Sequence, residues 1–140
     1  MIMPFIAHAR WVALTGILLC MERPSWAANL VDWSHAATID IAMSNYAFSP
    51  KTFTLKAGTP YHLHFVNSST HGHDFASTEL FSALEVAPQD KSKVEDGKVE
   101  VDGSQSVTVD VVPISKGTYA VRCTHPLHSM FGMKGQVTVE

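Results

Sequence analysis

Between Cys123 and Met133 the chain places one thiol, two imidazoles and two thioethers: Cys123, His125, His128, Met130 and Met133. Thiolate and thioether are soft donors, and together with imidazole they favour copper. Zinc rarely recruits methionine, and a structural zinc site wants more thiolates or histidines. The simplest donor set in the loop is Cys123, His128 and Met133. It lacks one imidazole, which the upstream run His71-Gly72-His73-Asp74-Phe75 can supply.

The flanking residues indicate how such a loop is held. Tyr119, Val121 and Cys123 alternate with Ala120 and Arg122, the pattern of a half-buried strand with Cys123 inward at its last position. Pro126 and Gly132 break regular structure, and Val137 and Val139 restart the alternation. A cysteine ending one strand, a loop of donors and a returning strand make a compact metal site.

The pattern C-x4-H-x4-M followed by Lys134-Gly135, with His73-Asp74-Phe75 far upstream, resembles the cupredoxins, the small blue copper proteins of plastocyanin and azurin type. Cys123 to Ser129 is similar to the azurin loop, and the spacing from His128 to Met133 is closer to plastocyanin. Tyr46 to Gly58 and Tyr61 to Asn67 also resemble cupredoxin strands, so the resemblance runs from Ile39 to Glu140. It implies an all-β, Greek-key β-sandwich with one short helix in the variable loop, and ligands at one end between two loops. It implies copper, cycling between Cu(I) and Cu(II), held by His73, Cys123, His128 and Met133. Two imidazoles and the thiolate would form a trigonal plane with a long, weak thioether contact, a geometry tolerable to both oxidation states. Asp74 stands where many relatives have asparagine, and Thr124 is the partner to which that side chain would tie the cysteine loop. A carboxylate there should favour the more positive oxidation state. Gly72 stands where azurin-like proteins offer a backbone carbonyl to the metal.

Other donors compete with this set. His71 is the alternative to His73, and otherwise caps its loop or sits exposed. His125 follows Cys123 more closely than the histidine ligand does in relatives. Met130 reads as an apolar rim residue beside Phe131. Glu79 would ligate only in a divergent red-copper site, and otherwise is an exposed helix carboxylate. His62 and His64, two apart on a strand, either form a surface metal pair or simply face water.

A length of 140 residues suggests one domain. Residues 1–27 read as a secretory signal peptide: Arg10, the apolar run Trp11 to Met21, then Ser25-Trp26-Ala27 with small residues at the cut. The run is shorter than the ~20 residues of a bilayer span, so no stable membrane anchor is expected. Lipidation at Cys20 is disfavoured by the bulky Leu19 before it. Cleavage leaves residues 28–140 as the domain, with 8 Lys+Arg, 12 Asp+Glu and a net charge of about −4. Cys123 is then an unpaired thiol in an exported, oxidising setting, where its neighbours favour a ligand over an inert core cysteine. No basic run suggests nucleic acid.

The remaining elements follow from periodicity. Asn29 to Ala37 is expected to be a flexible lead. Strands are expected at Thr38 to Met43, around Phe53 and Leu55, at Tyr61 to Phe65 and at Val107 to Val111. Ser77 to Glu85 carries Leu80, Phe81 and Leu84 at helical spacing, with Ser77 or Thr78 as N-cap. Asp90 to Asp102, of mixed charge, is expected to be solvated loop or edge hairpin.

These features predict a monomeric periplasmic carrier of single electrons, docking redox partner proteins through the apolar surface of Pro126, Leu127, Met130 and Phe131 around His128. Seven histidines after residue 27 and two further methionines, Met43 and Met130, sustain an alternative, copper resistance, storage or delivery. A small copper enzyme would require Met133 not to bind. No nucleophile elbow, phosphate-cradling loop or paired catalytic carboxylates suggest a hydrolase.

Overall fold

The computed structural model describes residues 30–140, of which Val31–Glu140 form one compact unit. The expected leader, residues 1–27, and its cleavage point lie outside the described residues. Among the described residues the strands are β1 (Ala37–Ser44), β2 (Ala47–Ser49), β3 (Thr52–Leu55), β4 (Tyr61–Asn67), β5 (His73–Ala76), β6 (Leu84–Val86), β7 (Lys98–Val101), β8 (Ser106–Pro113), β9 (Gly117–Arg122) and β10 (Lys134–Val139). They form two five-stranded sheets, in the orders β2-β1-β4-β8-β6 and β3-β10-β9-β5-β7. One helix, α1 (Thr78–Ser82), follows β5.

Alternation dictates which faces meet. On β4, Tyr61, Leu63, Phe65 and Asn67 are buried while His62, His64 and Val66 lie on the opposite face. Ile41 and Met43 of β1, Val109 and Val111 of β8, and Val137 and Val139 of β10 complete the inward rows. Phe75 sits at the centre, its ring 5.1 Å from that of Phe65, 5.2 Å from Phe48 and 6.4 Å from Phe53. Such aromatic clusters add dispersion and edge-to-face attraction to simple burial. Phe75 also lies two residues after His73, so the core holds the strand that presents that imidazole.

Four local features differ from the sequence expectation. Trp33–His35 form a 3-10 turn, because the Asp32 carboxylate accepts from the Ser34 amide at 3.0 Å, and Ala37 already pairs with Tyr61 in β1. The helix is shorter than its periodicity implies. Ser77 caps it, but Leu84 leaves it to start β6, paired with Pro113. The stretch Asp90 to Asp102 is not uniformly solvated: Asp90 is buried, bonded to Lys93 at 2.6 Å and to the Asp110 amide at 2.8 Å. Lys98–Val101 then form β7 at the sheet edge, burying Val99 and Val101. Finally, Ala47–Ser49 make a strand with only Phe48 inward, too short to show periodicity.

Candidate metal centre

Strand order brings the two halves of the site together. β5 and β9 are antiparallel neighbours, with Ala76 opposite Arg122. Residues preceding Ala76 therefore lie beside those following Arg122, and His73 meets the loop that starts at Cys123. β10 returns against β9 with Lys134 opposite Arg122, so Met133 flanks Cys123. The main chain stitches the loop donors to one another: the Cys123 amide donates to the Met133 carbonyl, and the Met133 amide to the His128 carbonyl, each at 3.0 Å. Leu127 and Gly132 take positive φ values of 69° and 104°, which turn the loop back on itself. Glycine meets that requirement at no steric cost, whereas at Leu127 the surrounding hydrogen bonds must hold it.

Three donor atoms face one another. His73 Nδ1 is 3.1 Å from His128 Nδ1, and Cys123 Sγ lies 3.4 Å from His128 Nδ1 and 3.9 Å from His73 Nδ1. These separations define a triangle with a circumradius of ~2.0 Å, the length of a transition metal–imidazole bond. Two nitrogen lone pairs and a sulfur so close repel unless a proton or cation lies between them, and the soft donor set selects copper. His73 and Cys123 are fully buried and His128 is half-buried. Met133 is fully buried in the same apolar cluster as Cys123.

Electrostatics suits a cation. Burial holds the His73 imidazolium below its ordinary range, with the neighbouring His128, His125 and His71 adding to the effect. Its ring stays neutral, as ligation requires. Burial pushes the Cys123 thiol above its ordinary range, so a proton stays on sulfur until a metal displaces it. His73 Nε2 is buried with no hydrogen-bond partner among the described residues. A buried polar group left unpaired in this way costs about 1–3 kcal/mol.

The supporting residues surround these donors. Asp74, fully buried, accepts from the Thr124 amide at 2.6 Å and from the Thr124 hydroxyl. Lys98 Nζ lies 3.8 Å from the same carboxylate. A Cβ on Gly72 would come 3.1 Å from Glu100 Oε1 and 3.4 Å from His125 Cε1, so a side chain there would crowd that pair.

The competing donors lie elsewhere. His71 is exposed, its ring 3.3 Å from the Thr70 hydroxyl, while its carbonyl accepts from Asn67 and Ser69. His125 Nε2 pairs with Glu100 Oε1 at 2.8 Å, and its ring stacks on that of His128. Met130 is 78% exposed and Met43 is fully buried in the core. Glu79 is exposed on the first turn of α1.

Two residues near the site escaped the sequence reading. Buried Asn67 donates to the carbonyls of His71, Val101 and Asp102 and accepts from Ser69, clamping the loop before His73. Its position at the end of an alternating strand row was the available signal. Tyr46 packs its ring 5.3 Å from His128, edge-on, and 5.0 Å from Phe131. No local pattern marks that contact.

Residues 35–140 match the copper binding proteins of the plastocyanin/azurin family. Among curated proteins none matches significantly. An auracyanin from the photosynthetic bacterium Roseiflexus castenholzii superposes with a TM-score of 0.56 at 23% identity, over 75% of this chain and 98% of its own. Auracyanin B gives 0.58 at 25% identity, over 81% of this chain and 95% of its own. A multi-copper oxidase from Pseudomonas thermotolerans gives 0.60 at 16% identity, covering 78% of this chain but 31% of that enzyme. The low identities of the first and third carry the fold alone: a two-sheet β-sandwich with a short helix.

Proposed function

This chain belongs to the plastocyanin/azurin family of copper-binding proteins, and we propose on that premise that it is an exported type 1 copper protein carrying single electrons in the periplasm. The carrying observation is the triangle of buried His73 and Cys123 with half-buried His128, sized for one ion. Copper, the cofactor of this cupredoxin, supplies a one-electron Cu(I)/Cu(II) couple when bound. His73, Cys123 and His128 would hold it, with the Met133 thioether as the weak fourth donor.

The chain's own contribution is to keep these donors still. The β5 and β9 backbones fix His73 and Cys123, the Met133 main chain fixes the loop, and Asp74 pins Thr124. Little then needs to move when an electron arrives. His128 is the donor closest to solvent, beside exposed Tyr46, Leu127, Met130 and Phe131. We assign to this apolar rim the docking of redox partner proteins and to the His128 edge the electron path. Depletion of charge at the centre of such a patch suits protein contact. The chain is read as a monomeric carrier, without catalysis of its own. Among the described residues no helix is long and apolar enough to cross a membrane.

The test is a visible spectrum of the copper-loaded protein with stoichiometry and voltammetry on one sample. An intense thiolate-to-copper band, one copper in that centre and a reversible wave are expected. Ready surrender of copper to a Cu(I) chelator without a reversible wave would instead establish the copper-handling reading.

A further inference from the structure

His128 is the one proposed ligand that reaches solvent, and its ring lacks the usual anchor. Metal-binding histidines commonly fix their orientation through a hydrogen bond at the nitrogen that does not face the ion. His128 turns Nδ1 toward Cys123 and His73. Among the described residues nothing bonds its Nε2, and water beside a half-buried ring supplies no fixed direction. Contacts to the ring itself must set it instead.

Two neighbouring rings make those contacts. Tyr46 stands at 83° to His128 with centroids 5.3 Å apart. It lies in the turn between β1 and β2 at a φ of 65°. A bulky residue is an outlier in that region, where asparagine or glycine is ordinary. The turn takes this strain at the aromatic, although Asn45, a residue suited to it, is the neighbour. The second ring is His125, at 18° and 5.5 Å from His128. Its Nε2 lies 2.8 Å from Glu100 Oε1 on β7, and its carbonyl accepts from the His128 amide at 3.2 Å. The bare Cα of Gly72 leaves room for the His125–Glu100 pair. A part-exposed pair of this kind adds little stability, so its use is direction.

We propose that Tyr46 and His125 are positioning residues that brace the His128 ring, with Glu100 as the anchor of His125. The braces come from separate sheets: Tyr46 from the β1–β2 turn of the first, Glu100 from β7 of the second. They keep His128 Nδ1 aimed at the ion position while the charge there changes. Neither acts as a donor. The purpose rests on the electron-carrier reading, whereas the bracing itself is a property of the chain without metal.

The experiment measures carbon relaxation of the His128 ring by NMR in metal-free protein at about pH 8, above the ordinary histidine value. An ordered ring is expected in the unsubstituted chain. Tyr46→Gly removes one brace and relaxes the turn, so circular dichroism should hold while the ring loosens. Tyr46→Phe keeps the ring contact and should restore the order. Glu100→Ala should loosen His125 and His128 together, and Glu100→Gln, which keeps an acceptor, should not. Loss of either brace should raise the share of released ring by about 2–12-fold, the weight of one aromatic pair. In the copper-loaded loosened variants the visible band should persist and the voltammetric electron-transfer rate should fall. An equally ordered ring in Tyr46→Gly and Glu100→Ala, or equal loosening in Tyr46→Phe, would overturn the proposal. Absence of the band from the unsubstituted protein would sink the carrier reading instead, and the metal-free ring would still decide the bracing.

Discussion

The Asp74 carboxylate grips Thr124 twice, through its amide at 2.6 Å and through its hydroxyl, across fifty positions of sequence. Each of these residues directly follows a proposed ligand, His73 or Cys123. The bond therefore locks together the two segments that must converge on one ion. Because Asp74 is fully buried, its negative charge acts through a medium of low dielectric. Asp74→Asn should keep an acceptor for Thr124 but remove the charge that favours the oxidised ion. Voltammetry should show a higher reduction potential, with the visible band retained.

Cys123→Ser should abolish the intense visible band of the copper-loaded protein, because the hydroxyl cannot replace the soft thiolate. His125→Ala should largely leave it, since His125 pairs with Glu100 outside the donor triangle. Absorption spectra of the two variants check both. Loss of the band in the second would move the ligand assignment to His125.

Met133→Leu conserves volume in a fully buried position and should cost under about 1.5 kcal/mol of stability. It removes the thioether while the main-chain bonds to Cys123 and His128 persist. A weak donor stabilises the more positive ion, so its removal should raise the potential. Denaturant titration and voltammetry separate the two effects.

Metal-free protein should be most stable between the ordinary values of histidine and cysteine, 6.5 and 9.0. Burial lowers His73, so below 6.5 the unfolded chain binds the proton more readily and stability falls with acid. Burial raises Cys123, so above 9.0 the unfolded chain loses its proton first and stability falls with alkali. Denaturant midpoints across pH should show both limbs. His73→Gln should flatten the acid limb, and Cys123→Ala the alkaline one.

Much of this was legible in the sequence because period-two burial and donor chemistry are both local signals. Tyr61, Leu63 and Phe65 announce an inward row, and the run from Cys123 to Met133 announces soft donors. What stayed hidden depends on register between distant strands. Asp110 and Asp40 meet His62 and His64 only because β8 and β1 pair with β4 at those offsets. Leu84 satisfies helical spacing, yet pairing with Pro113 gives its backbone a ladder partner and ends the helix. Val99 and Val101 alternate within K-V-E-V and form the edge strand that the hairpin alternative allowed, but the charges around them hid that the strand buries both.

The residues proposed to grip copper all issue from β5, the end of β9 and the start of β10, which belong to a single sheet. The opposite layer supplies a wall without handling the ion. Evolution, or a protein engineer, is thereby free to rewrite that wall's outward surface as an independent second interface while leaving the redox chemistry untouched.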